Sequence, residues 1–236
     1  MWKSFYNPDL GKVETPQGTM TLPKIFLPLF LEMFLMNLMS TVNTFTLSFY
    51  SDEAVAAVGS AGQFMGMILN FYSVISTGAS IVISQNLGAK KYQRIRKGVR
   101  SGTYMAVLTS AFISGMMVLF GRNVLSLFVS GEPDQTRQVL DIAYKYLFIM
   151  AVFLWVLYLL YVYRSAIQGL GNTLIPLASG IAEFIMRVSV ALLLPKLIGE
   201  DGIYYAEICA WSSAAVLLFV SYMIIIRKYK EVTVHT

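Results

Sequence analysis

Six long stretches of apolar residues alternate with short segments that hold most of the charged residues. Each stretch is long enough for an α-helix to cross a hydrocarbon layer about 30 Å thick. The pattern predicts a transmembrane domain over residues 23–227, between a polar lead-in at residues 1–22 and a tail at residues 228–236. The predicted spans are at about residues 24–50, 54–84, 101–120, 137–166, 174–198 and 204–226.

Composition supports this interpretation. Of the 236 residues, 56% are hydrophobic and 13% are charged, and the mean hydropathy is +0.63. A soluble domain has about 25% charged residues. The predicted fold class is therefore an all-α integral membrane protein with six transmembrane helices.

The basic residues are unevenly distributed. They concentrate in the lead-in, in the segment at residues 90–100 and in the tail, whereas the other loops hold few. By the positive-inside rule, both termini are predicted to be cytoplasmic. The net charge of +5 thus reflects membrane orientation, and no nucleic-acid partner is expected.

The sequence lacks the residues and motifs that several kinds of chemistry require. One cysteine, Cys209, and one histidine, His235, provide no disulfide and no Cys/His cluster for a metal. The sequence also has no phosphate-binding loop, no G-x-S-x-G motif and no H-E-x-x-H motif. A carrier or channel without a cofactor is favoured, and a membrane enzyme is the least favoured class.

The segment at residues 163–187 joins two predicted spans through a short polar turn and places two ionisable residues in the second span. Pro176 lies near the first turn of that helix, where its missing N–H costs little. Glu183 lies roughly 14 Å from Leu174 along the helix, and Arg187 follows on the same face. An ionisable pair at this depth predicts ion or substrate binding, or else a structural pair that fixes helix packing.

Three further polar residues lie inside predicted spans. Glu32 is about 12 Å from Lys24 along the first helix and has no basic residue one turn away. It is predicted either to bind an ion or to find a partner on another helix. Asn43 and Gln63 are predicted to line a polar cavity or to hydrogen bond between helices. Arg164 is expected to extend towards the cytoplasmic headgroups.

Four segments together are similar to one transporter family. They are PLFLE at 28–32, VNTFTLSFYSDEAVAAVG at 42–59, SVISTGASIVISQNLGAKK at 73–91 and YRSAIQGLGNTLIPLASGIAEFIMR at 163–187. This combination resembles the multidrug and toxic compound extrusion (MATE) family of bacterial transporters. The resemblance implies an antiporter in the bacterial cytoplasmic membrane that exports cationic amphipathic compounds in exchange for protons or sodium. Family members have twelve spans in two six-helix lobes around a cavity, so this chain has the length of one lobe.

The chain departs from the family pattern in two respects. Asn43 occupies a place where the family often has aspartate, and a neutral amide cannot exchange a proton. In addition, residues 28–84 resemble the start of an N-terminal lobe, whereas the later segments resemble a C-terminal lobe. A join near residues 84–88 would result from an internal deletion, and an authentic half-sized gene would give the same sequence.

The favoured hypothesis is a half-length exporter subunit. Glu32 and Glu183 are the residues predicted to bind the coupling ion and the cationic substrate. Asn43, Gln63 and Arg187 are the other candidate site residues. Two copies with both termini on one side can stand in the same orientation, so a parallel homodimer or a second half-transporter is the predicted partner. The alternatives are an inactive remnant, or a module that binds lipid or another transporter without transporting.

Overall fold

The computed structural model describes residues 12–15, 18–49, 51–129, 133–199 and 201–231. Strands β1 (Lys12–Thr15) and β2 (Gly18–Thr21) form an antiparallel hairpin before the first helix. Six of the helices within the described residues have the length and apolar composition of membrane spans, which confirms the predicted fold class. The helices are α1 (Leu22–Leu47), α2 (Asp52–Gly88), α3 (Tyr92–Leu125), α4 (Pro133–Gly169), α5 (Leu174–Leu193), the short α6 (Pro195–Ile198) and α7 (Asp201–Glu231).

Helix α4 lies at the centre of the fold. It packs against α2, α3 and α7, and α1 packs mainly against α5. Leu147, Met150 and Leu154 of α4 are fully buried, and its run of apolar residues is typical of a helix surrounded by others. Tyr72 of α2 donates a hydrogen bond to the carbonyl of Tyr158 at 2.9 Å, which fixes α2 against this central helix.

The turn between α4 and α5 is determined by its local sequence. Gly171 has a positive φ of 81°, a conformation that glycine adopts without steric cost. The Oδ1 atom of Asn172 then accepts the backbone N–H groups of Leu174 and Ile175 at 3.1 and 3.0 Å. These bonds satisfy two donors at the start of α5 and set the register of the helix that carries Glu183.

Helix α3 begins nine residues before its predicted span, within the basic segment. Ile95 and Val99 continue the helical period there and are buried. Arg96 donates a hydrogen bond from Nη2 to the carbonyl of Ile226 at 3.1 Å, which attaches this extension to α7. From Tyr92 onwards the basic segment is thus part of α3 rather than a loop.

One prediction arises where α4 ends against α2. A Cβ atom on Gly169 would lie 2.7 Å from the carbonyl oxygen of Ser80 and 3.0 Å from Ile83 Cβ, so the helices would have to separate. Gly169→Ala is expected to cost about 1–3 kcal/mol and to lower the thermal midpoint of the protein in detergent. Gly78→Ala is the matched control, since its Cβ would meet nothing within 4 Å. Equal midpoints for the two variants would contradict this close approach.

Candidate functional site

A chain of alternating charges crosses the helix bundle at the centre of the candidate site. It runs from Glu32 on α1 to Arg164 on α4, then to Glu183 and Arg187 on α5, and ends at Glu207 on α7. We call these five residues the charge network. Its first four members are buried, so the interactions among them decide how their charges are stabilised.

Arg164 holds the first half of the charge network together. Its Nε lies 3.1 Å from Glu32 Oε1, and its Nη2 lies 3.2 Å from Glu183 Oε2. The same Nη2 is 3.4 Å from Ser179 Oγ, and Gln168 donates to Glu32 Oε2 at 3.3 Å. The predicted extension of Arg164 to the headgroups is therefore wrong, because two buried carboxylates on α1 and α5 hold its guanidinium inside.

Glu207 ends the charge network and accepts more than one donor. Arg187 is shared between Glu183, with Nη2 3.6 Å from Oε1, and Glu207, with Nη1 3.0 Å from Oε1. Asn43 of α1 donates to the same Glu207 oxygen at 2.9 Å, and Tyr146 of α4 lines the cavity with this carboxylate. Residues from α1 and α5 thus meet at one carboxylate of α7.

The charge network contains three carboxylates and two guanidinium groups. With every member ionised, it carries one negative charge in excess. An uncompensated charge away from water costs several kcal/mol, so the network attracts positive charge. Within the described residues, no cluster of three or more His, Cys, Asp or Glu side chains could hold a metal ion.

A cavity of about 460 Å³ lies beside the charge network, between α1, α2, α4, α5 and α7. Its polar lining includes Asn43, Gln63, Arg164, Glu183, Arg187 and Glu207. Its apolar and aromatic lining includes Met36, Met39, Tyr146, Leu157, Leu160, Tyr161 and Trp211. The cavity therefore combines an apolar wall with two carboxylates and two guanidinium groups, and the third carboxylate of the network, Glu32, lies against Arg164 outside the lining.

The structure brings most of the predicted site residues together. Asn43, Gln63, Glu183 and Arg187 line the cavity. Glu32 is not among the lining residues and joins the site through Arg164. Gln63 lies on α2, whereas the charge network is built from α1, α4, α5 and α7.

Sequence reasoning missed two members of the charge network, Arg164 as a buried bridge and Glu207 altogether. Glu207 had an available signal, because it is a carboxylate within an apolar span at residues 204–226. The sequence indicated a buried role for Arg164 less clearly, since a basic residue near a helix end is equally compatible with headgroup contact.

Two proteins of Bacillus subtilis are similar to this chain in sequence. The transporter named "Uncharacterized transporter YisQ" is 34% identical over 118 residues, which cover 49% of this chain and 25% of that protein. The "Probable multidrug resistance protein YoeA" is 25% identical over 183 residues, which cover 76% of this chain and 38% of that protein. The matched residues thus span well under half of these curated relatives.

Two solved structures share the fold. The Vibrio cholerae MATE transporter VcmN in its bent form matches with a TM-score of 0.79 at 22% identity, over 88% of this chain and 47% of that one. A MATE protein in complex with MaL6 matches with a TM-score of 0.80 at 18% identity, over 89% of this chain and 47% of that one. The six-helix arrangement is therefore that of about half a MATE transporter.

The MatE family model matches residues 28–193, which include most of the charge network and extend from α1 to the end of α5. The matched residues also include each segment on which the sequence resemblance rests. MATE proteins are transporters rather than enzymes, and six apolar helices suit a multi-pass protein of the inner membrane. Family model, relatives and helix arrangement agree, and the chain belongs to the MATE family.

Proposed function

We propose that this chain is a subunit of a multidrug efflux antiporter that exports cationic amphipathic compounds in exchange for protons or sodium ions. The observation that carries the proposal is the excess of one carboxylate in a buried charge network beside a cavity with apolar and aromatic walls. The name of the relative YoeA, a probable multidrug resistance protein, supports the same function.

The cavity and the charge network match the two parts of such a substrate. Tyr146, Tyr161 and Trp211 offer aromatic surface to a flat apolar body. The excess negative charge attracts the cationic group, and Glu207 is the network carboxylate most exposed to a ligand. Because one positive charge neutralises the network, a proton or sodium ion and a cationic substrate compete for it. Competition of this kind is the basis of exchange.

The fold supports packing against a second six-helix lobe. The matched residues cover 47% of each of the two solved MATE chains, and a second lobe would correspond to the remaining part of that fold. Six spans leave both termini on one side, and two copies can therefore associate in parallel. We expect a homodimer, or a complex with a second half-transporter, in preparations that transport. A mass measurement in detergent that finds monomer alone in active preparations would contradict this assembly.

The orientation follows from the basic residues. Lys90, Lys91 and Arg94 lie around the start of α3, close to Arg227 and Lys228 at the end of α7, since Arg96 joins these helix ends. We place this face, with both termini, in the cytoplasm of a bacterium. A fluorescent protein fused to the C-terminus is expected to mature and fluoresce, whereas alkaline phosphatase fused there is expected to be inactive.

The function is tested by efflux of a fluorescent cationic dye from energised cells that lack their own exporters. Wild type is expected to export the dye, and Glu183→Gln is expected to reduce the efflux rate roughly tenfold because the charge network loses its negative excess. Asp134→Asn, which removes an exposed carboxylate at the start of α4, is the control and is expected to export normally. Absence of export from wild type present in the membrane would refute the proposal and favour an inactive remnant.

A further inference from the structure

The Asn43 side chain has an oxygen without a partner. An ionised carboxylate can only accept hydrogen bonds, so the amide must direct Nδ2 towards Glu207, as it does at 2.9 Å. The Oδ1 atom is thereby left facing away from Glu207. It is buried and has no hydrogen-bond partner within the described part of the chain. A buried acceptor in this state favours the arrival of a donor.

Glu207 is the acidic neighbour of this oxygen and the most open carboxylate of the charge network. Its side chain is 13% exposed, compared with 5% for Glu32 and 7% for Glu183. Asn43 and Glu207 both line the cavity, and the apolar side chains of Met39 and Leu160 line it with them. Apolar surroundings strengthen a hydrogen bond and raise the cost of leaving its acceptor unpaired.

We propose that Asn43 and Glu207 form a subsite for the N–H group of a protonated amine. The subsite selects primary, secondary and tertiary amine cations over quaternary ammonium cations of the same size. This inference rests on the proposed export function and specifies its substrate class. Because Oδ1 is closed to water in this structure, ligand entry includes a shift of the Asn43 side chain towards the cavity.

The selection follows from the difference between the two kinds of cation. A protonated tertiary amine carries one N–H, which can bond Asn43 Oδ1 while its charge remains beside Glu207. A quaternary ammonium has no N–H, and its methyl groups keep the positive charge farther from both oxygens. It receives the Coulomb attraction of the charge network but leaves the Asn43 acceptor without a partner.

The experiment compares an aromatic tertiary amine with its N-methylated quaternary analogue, which differs by one methyl group. Both are titrated by calorimetry into the purified full chain, at a pH at least two units below the pKa of the amine, so that both are cationic. The tertiary amine is expected to bind roughly tenfold more tightly. Both compounds are also tested for export in cells.

Two variants on α1 distinguish the loss of the subsite from the effect of replacing any amide of this helix with leucine. Asn43→Leu removes the acceptor at similar volume and is expected to weaken the tertiary amine to the affinity of the quaternary one. Asn37→Leu removes an exposed amide of α1 whose Nδ2 bonds the carbonyl of Met33, and it is expected to retain the wild-type ratio. Should Asn43→Leu fail to fold, Asn43→Ala serves instead. It also removes the acceptor, so the ratio is again expected to fall towards one.

The outcomes distinguish this inference from the function on which it rests. Export of both compounds with equal affinity in wild type would overturn the subsite and leave the exporter standing. A wild-type ratio that persists in both Asn43 variants would overturn the assignment to Asn43. Neither binding nor export of either compound would refute the proposed function itself.

Discussion

Arg164→Met is expected to be the most destabilising single substitution in the charge network. The guanidinium of Arg164 lies within 3.2 Å of both Glu32 and Glu183, and methionine leaves these buried carboxylates without it. Removal of one partner from a buried ion pair costs about 3–5 kcal/mol, far more than the pair itself contributes over an apolar replacement. We expect a lower thermal midpoint in detergent and less protein in the membrane fraction.

Two comparisons test whether the loss comes from unpaired buried charge. Arg122→Met breaks the 2.6 Å ion pair with Asp141, but those side chains are 55% and 62% exposed, so the expected cost is about 0–1 kcal/mol. Adding Glu32→Gln to Arg164→Met removes the carboxylate that is left without a cation, since Glu183 keeps Arg187, and is expected to recover part of the stability. Failure of the double variant to exceed the midpoint of Arg164→Met would show that packing, rather than charge, accounts for the loss.

The six spans could be predicted because the hydrocarbon layer offers the backbone no water as a hydrogen-bond partner. An apolar stretch of this length must satisfy its backbone hydrogen bonds internally, and the stretch from α4 to α5 carries its turn signal in Gly171 and Asn172. The start of α3 was harder to predict. Hydropathy falls where the basic residues begin, yet the helical period continues through Ile95 and Val99.

Within the site, spacing along one helix could be predicted and pairing across helices could not. Glu183 and Arg187 are one turn apart and do form an ion pair. A partner on another helix was one of the two roles predicted for Glu32. The sequence could not indicate that Arg164 would be that partner, because the choice depends on how α1 and α5 pack against the end of α4.

Glu207→Gln is expected to abolish the coupling of transport to an ion gradient while leaving the fold intact. The substitution leaves Glu32 and Glu183 opposite Arg164 and Arg187, so the charge network has no excess charge to attract a cation. Exchange of one ion for one cationic dye moves no net charge, so the concentration gradient of the ion drives it; a roughly fiftyfold ion gradient provides about 2.3 kcal/mol, which corresponds to roughly fiftyfold accumulation of dye. In vesicles with the reconstituted protein, this accumulation is expected to fall towards an equal distribution of dye.

A double variant tests whether the number of charges or the position of Glu207 governs coupling. Arg187→Gln together with Glu207→Gln leaves Glu32 and Glu183 opposite Arg164, which restores an excess of one negative charge. If the net charge of the network governs cation uptake, the double variant is expected to respond to the gradient again, whereas Glu207→Gln alone is not. A folded double variant without any response would refute the charge count and assign coupling to the Glu207 carboxylate itself. Because Asn43 loses the Glu207 carboxylate as its acceptor in both Glu207 variants, the comparison holds the loss of that hydrogen bond constant.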